Sequence, residues 1–124
     1  MRKFNILAFD DFISGSGTTV YTRSELNEKL AEVDKLALFP VTDQVSANGT
    51  LTVRIEHSGD GLNWTDKNTT AEIDAVAIDT GLTNKAYGSD SGTTPSLGFV
   101  RLALTITTTT SAHVKLWVTG RDES

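Results

Sequence analysis

The sequence contains no cysteine, which excludes a disulfide framework, a thiolate metal site and a cysteine nucleophile together. The covalent support typical of small secreted domains is therefore missing. Basic charge is also scarce: 11 Lys and Arg stand against 16 Asp and Glu, a formal net charge of −5. Phosphate backbones are held by clustered Lys and Arg, and the only adjacent basic pair is Arg2-Lys3, so no nucleic-acid partner is expected. No stretch approaches the ~20 apolar residues of a membrane span. The opening MRKFNILAFDDFISGSG meets Asp10-Asp11 before it can form the unbroken apolar segment of a signal peptide. The expectation is a chain made in the cytoplasm without a leader and with no membrane partner.

The 124 residues are 38% hydrophobic and 22% charged, and they fit one domain by the length prior of roughly 150 residues. A domain of this size buries about two-thirds of its unfolded surface, enough for a core without metals or crosslinks. Strand signals dominate that core. In Leu51-Thr52-Val53-Arg54-Ile55-Glu56-His57, apolar and polar residues alternate strictly, the pattern of a half-buried strand. Ser58-Gly59-Asp60-Gly61 follows as a turn, and Leu62-Asn63-Trp64-Thr65 returns, so 50–67 reads as a β-hairpin. Asp60 is expected to close its turn, Gly61 to take positive φ, and Trp64 to pack back on the sheet.

At the C-terminal end Val100, Leu102, Leu104 and Ile106 alternate with Phe99, Arg101 and Ala103, and Val114, Leu116 and Val118 alternate with His113, Lys115 and Trp117. The Thr107–Thr110 run with Ser111 lies between them, and the pair reads as a second antiparallel hairpin. Shorter strands are expected at 4–9, 18–22, 35–41 and 72–78, with Pro40 at an edge or bulge. Residues 14–19, 46–50 and 80–98 read as loops, the last long for a compact domain. The segment 24–34 fits two readings: a short helix capped by Ser24 with Leu26, Leu30 and Val33 on one face, or a strand alternating through Leu26, Glu28 and Leu30. Short strands separated by turns predict an all-β fold, a single antiparallel β-sandwich or jelly roll over 1–124.

Chemistry is thin. His57 and His113 are the candidate bases, but no Gly-x-Ser-x-Gly elbow accompanies them and no EF-hand spacing is present. Asp10-Asp11 and Asp122-Glu123 are adjacent residues that a strand points to opposite faces, so neither pair forms an acid–base dyad by itself. No catalytic residue, metal ligand or cofactor is assigned. An enzyme would require His57 or His113 beside carboxylates in a cleft.

The hairpin residues Ser58, Asp60, Gly61 and Trp64 resemble the Ser-x-Asp-Gly-x-x-Trp turn of β-sandwich binding modules. The turn is close to the Asp-box of sialidase propellers but one residue shorter before the Trp. From Glu56-His57 through this turn to Gly98–Thr107 and the last strand, residues 34–120 resemble the small β-sandwich structural proteins of tailed bacteriophages, some of which decorate capsids. The resemblance implies a non-enzymatic virion subunit that stabilises a particle, with a capsid or other particle protein and further copies of itself, a trimer first, as partners. Residues 1–17 are the expected docking arm.

The residues point to a surface as well. On one hairpin, Phe99, Arg101, His113, Lys115 and Trp117 would share the face opposite the apolar set, an aromatic and basic patch of the kind found at interfaces. The bland alternative is that a second sheet, a loop or the N-terminal segment covers them. A carbohydrate- or surface-binding module is the competing function, with Trp64, Trp117 or Tyr87 as stacking platforms for a sugar.

Overall fold

The computed structural model describes residues 2–32, 35–90 and 96–122. Their alternating segments form ten strands: β1 (Arg2–Ser14), β2 (Thr19–Tyr21), β3 (Lys35–Asp43), β4 (Gly49–Ser58), β5 (Thr65–Asp66), β6 (Ile73–Ile78), β7 (Asn84–Lys85), β8 (Gly88–Ser89), β9 (Phe99–Thr107) and β10 (Ser111–Asp122). One sheet runs β1-β10-β3 with β7 and β8 both paired to the far side of β3, and the other runs β2-β9-β4 with β5 and β6 paired to β4. Every pairing is antiparallel. The chain is a single β-sandwich.

Period-two alternation sends one set of side chains into the space between the sheets. Val114, Leu116 and Val118 of β10 and Leu36 and Leu38 of β3 meet Leu51, Val53 and Ile55 of β4 and Val100, Leu102, Leu104 and Ile106 of β9 in one buried cluster. Burying such a side chain contributes about 1.5–3 kcal/mol, so this cluster is the main favourable term. The register of β1 slips between Leu7 and Phe9, an extra residue that buries Ala8 and lets Ile6, Phe9 and Ile13 all reach the core.

The segment left open between helix and strand is helical. A 3-10 turn at Ser24–Leu26 leads into α1 (Asn27–Ala31), which buries Leu30 completely and Leu26 in part. Ser24 does not cap it. Arg23 occupies the N-cap position and no side chain bonds there, while Val33 lies outside the described residues. The expected docking arm over 1–17 overlaps the first strand. Residues 2–14 form an edge strand zipped to β10 from Arg2↔Asp122 to Ser14↔Ser111. Pro40 accepts a bond from Ala86 N–H in the gap between β7 and β8, where β3 has no continuous ladder to lose.

The expected hairpin over 99–119 is not one. β9 pairs with β2 and β4, and β10 pairs with β1 and β3, so residues 107–111 form an arch that throws the chain from one sheet to the other. Two strands with apolar sets facing each other across a core alternate just as the strands of a hairpin would, which is why periodicity alone mispaired them.

The arch is held from both sides. Ser46 Oγ accepts from the N–H groups of Thr110 (3.2 Å) and Ser111 (3.0 Å) and bonds the hydroxyls of Thr109 (3.0 Å) and Thr110 (2.9 Å). From the other side, Gly15 N–H reaches Thr110 O, Gly17 N–H reaches Ile106 O, and Thr108 N–H reaches Ser16 Oγ. Thr108 itself has φ +70°, a conformation a β-branched residue adopts only when its surroundings force it.

Gly49 fits against this arch with no room for a side chain: a Cβ would stand 2.3 Å from Thr107 O and 2.8 Å from Thr109 N. Gly49→Ala is therefore expected to destabilise the fold by about 1–3 kcal/mol in urea denaturation, the usual cost of overpacking against fixed atoms. Gly59→Ala, where nothing stands within 4 Å, should stay within about 0.5 kcal/mol of the parent. Equal losses from the two substitutions would refute the close-packed arch.

Candidate functional site

The outer faces of the two sheets are chemically different. On the β1-β10-β3 sheet, register sets Leu7, Trp117 and Phe39 side by side in one row, with Asn5, Thr119 and Ala37 in the next. Tyr87, from the link between β7 and β8, projects beside Phe39. All of these but Leu7 line a hollow of about 380 Å³. Trp117 is 41% exposed, Phe39 42% and Tyr87 71%. Three aromatic rings thus face solvent around one depression, whereas large apolar side chains normally scatter singly on a surface.

The same face continues into a polar clamp. His113 lies between two carboxylates, with Nδ1 2.8 Å from Asp43 Oδ1 and Nε2 2.8 Å from Asp10 Oδ1. Its ring also meets Phe12, with centroids 5.2 Å apart. The clamp joins β3, β10 and β1, the three adjacent strands that carry the aromatic rows. Hydrogen bonding to Asp43 raises the imidazole pKa above its ordinary value; partial burial opposes this, and Asp10 adds to the rise. Both ring nitrogens are occupied by carboxylates, so the arrangement orders three strands and presents no free base. His57 ends the inner side of β4, where its Nδ1 accepts from Leu97 N–H at 3.2 Å. Burial, with Lys67 nearby, lowers its pKa against a smaller opposing effect from Asp90, which favours a neutral ring.

The outer face of the other sheet carries Phe99 and Arg101. The five residues expected on one hairpin face are therefore divided: Phe99 and Arg101 on β9, and His113, Lys115 and Trp117 on β10, on opposite sides of the sandwich. The arch is the physical reason. Arg101 is already engaged, its guanidinium 3.8 Å from the Tyr21 ring centroid and 4.3 Å from that of Trp64, with Nε donating to Glu56 Oε1 at 2.7 Å. A planar cation between two aromatic faces is a stabilising stack. Phe99 packs beneath Gly61.

The turn that brings Trp64 over Arg101 is built from side-chain bonds. Ser58 Oγ accepts from Asp60 and Gly61 N–H and donates to Asp60 Oδ1. Asp60 accepts from the N–H groups of Leu62 and Asn63, each at 2.9 Å, and from the Asn63 side chain. These donors, the Asn63 and Leu62 N–H groups foremost, hold the Asp60 carboxyl well below the usual carboxylate range. Gly61 has φ +77°. Phe39, Asp10 and Asp43 had no sequence signal as site residues, because their partners lie 70 or more positions away along the chain. Among the described residues, no group of three or more His, Cys, Asp or Glu is placed to hold a metal ion.

The clamp has a pH signature. The folded state holds the imidazolium of His113 more tightly than the unfolded chain does. Its contribution is therefore complete below the unfolded pKa of about 6.5 and is lost as pH rises through the higher folded value. The stability advantage of the parent over His113→Gln, measured by urea denaturation, should be largest near pH 5.5 and shrink steadily toward about pH 9. An advantage that is flat over this range would mean that His113 is neutral in the clamp.

No family model matches the sequence, and no curated protein matches it. Solved structures do match, by fold. The capsid chain of infectious bursal disease virus, Gx strain, superposes with a TM-score of 0.65 at 14% identity, covering 95% of this chain and 32% of the viral one. The first xylan-binding domain of family CBM22 from Paenibacillus barcinonensis Xyn10C superposes at 0.62 with 11% identity, covering 93% of this chain and 73% of the domain. The PBSX exported protein XepA superposes at 0.55 with 14% identity, covering 98% and 38%. The chain thus spans about a third of the length of the capsid chain, and at these identities the likeness is one of fold.

Proposed function

We propose that this chain is a non-enzymatic structural subunit of a virion that stabilises a particle through the outer face of β1, β10 and β3. The observation that carries the reading is the open aromatic hollow formed by Trp117, Phe39 and Tyr87 on a sandwich whose core is otherwise closed. Aromatic residues gathered on an exposed face are the usual anchors of protein interfaces. His113 and Lys115 on the same face belong to this surface, and the clamp around His113 keeps its strands in register. Arg101 and Phe99 are engaged with their own neighbours and form a separate, secondary surface.

Two further observations support the reading. The pairings β1 with β10, β2 with β9, β3 with β7 and β8, and β4 with β5 and β6 have the nested order of a jelly roll, an architecture common in viral capsid and lectin domains. The folds similar to this one include viral capsid chains. The occupant of the hollow is then a second copy of the chain, in a trimer first, or a capsid protein. In this reading the protein resides in the virion and has no catalytic role.

Carbohydrate binding is the second reading. Asn5 and Thr119 stand beside the aromatic rings, a pairing of stacking surface and hydrogen-bonding groups that suits a sugar, and a xylan-binding domain shares the fold. Light scattering on the purified protein, followed by negative-stain imaging and titration with xylan, separates the two. A discrete oligomer or particle that Trp117→Ala reduces to monomer, with thermal stability retained, is the expected result. A monomer that binds xylan saturably and loses binding in Trp117→Ala would replace the first reading with the second.

A further inference from the structure

Beyond the turn that follows β4 lies a buried polar cluster that neither reading uses. Lys67 directly follows β5, and its N–H donates to Ile55 O of β4 at 2.9 Å, which fixes it to one sheet. Asp90 directly follows β8, and its N–H donates to Leu36 O of β3 at 2.9 Å, which fixes it to the other sheet. The two side chains meet between the sheets, 0% and 2% exposed, with Lys67 Nζ bonded to Asp90 Oδ2. The second carboxylate oxygen, Oδ1, accepts from Asn68 Nδ2 at 3.0 Å. Asn68 Nδ2 also donates to Glu72 Oε1 at 2.9 Å, and Glu72 Oε2 accepts from Ile55 N–H at 3.2 Å.

We propose that Lys67 and Asp90 are the site of a self-catalysed crosslink, an amide between Nζ and Cγ that ties the two sheets together covalently. The starting state is already poised. Two opposite charges withdrawn from water carry a desolvation penalty that their attraction does not always recover, and passing one proton from Nζ to Oδ2 leaves a neutral amine against a neutral acid. The amine lone pair then attacks Cγ. Charge develops on Oδ1, where the Asn68 N–H already points, the arrangement that stabilises an oxyanion. A second nitrogen proton passes to the Oδ2 hydroxyl, the Cγ–Oδ2 bond breaks, and water departs. The balance is one ammonium and one carboxylate converted to one secondary amide and one water, with no oxidant, metal or cofactor.

Amide formation from separate ions in water is unfavourable, but the fold changes both terms. Groups held together by their own backbone reach effective concentrations of about 10⁵–10⁸ M, and the neutral product removes both charges from the interior. Asn68 touches the reacting carboxyl and acts on it directly. Glu72 is a positioning residue that fixes the Asn68 amide. Its own carboxyl is pushed upward, chiefly by burial, in keeping with a site that disfavours charge.

The test is the intact mass of the full chain under denaturing conditions, with fragment analysis after proteolysis. The expected mass is lower than the sequence mass by one water, with a branched fragment joining the peptides around Lys67 and Asp90. Lys67→Arg keeps the charge but not the nucleophile, so it should restore the full mass. Asn68→Ala should slow crosslinking in a folded chain. Glu72→Ala should do the same, while Glu72→Gln, which retains an acceptor for Asn68, should crosslink. A full-length parent at the unmodified mass, fresh and after prolonged incubation, overturns the proposal. So does a one-water deficit that persists in Lys67→Arg, because a succinimide at Asp60-Gly61 would lose the same mass.

Discussion

The hydroxyl of Ser46 sits at the hinge on which this sandwich turns. It bonds the arch that carries the chain from β9 to β10, and those two strands are interior to their respective sheets. β9 lies between β2 and β4, and β10 between β1 and β3. The geometry of a few residues, Thr107 to Ser111, therefore sets the spacing and alignment of the two sheets, and each remaining strand adds by pairing outward. Buried Thr109 and left-handed Thr108 are what such a turn requires. Its polar groups are bonded on both sides by the 15–17 and 46–47 segments, so the crossing leaves few backbone groups without partners.

This constraint also explains what the sequence could and could not disclose. Alternation identifies which side chains of a strand face inward, and Val100 to Ile106 and Val114 to Val118 do so throughout. Alternation does not identify the neighbour. A threonine run that suits a hairpin connection suits an arch equally, so the patch assigned to one face is shared between two. The β10 partners that contribute to the aromatic hollow and the His113 clamp come from β1 and β3, more than 100 and at least 70 residues away. Pairings of that range are set by the collective fit of the core, which a local pattern does not encode. The 24–34 segment fits helix and strand alike, because Leu26 and Leu30 share a face in both, and the helix uses no side-chain cap that would mark its start.

The acidic residues illustrate how one residue type acquires different chemistry from its surroundings. Asp60 is exposed, yet the backbone N–H groups that converge on it hold its carboxyl well below the usual carboxylate range. Asp10 and Asp43 hold a histidine across three strands. Asp90 is buried against a lysine. From the sequence Asp60 reads as closing its turn and Asp10 as a strand residue beside Asp11, while nothing local points to the partners of Asp43 or Asp90. What distinguishes Asp90 is the stretch 80–90, which lays β7 and β8 along β3 and so carries a carboxylate from one sheet to a lysine of the other.

The contrast between the outer faces then gives the proposed surface its meaning. On the β9 side each prominent group already has an internal partner: Arg101 lies between Tyr21 and Trp64, and Phe99 beneath the turn. On the β10 side the rings of Trp117, Phe39 and Tyr87 surround a hollow that no other described element fills. Neither the core nor the strand pairing requires those rings to be aromatic, because they point away from both. Stability accounts for Val118 and Leu116 beside Trp117, but not for Trp117 itself. A side chain that the fold does not need, grouped with two others on strands that a dedicated clamp holds in register, is best explained by something outside the chain. On the proposed reading that partner is the particle, and the clamp holds in register the strands that present the hollow to it.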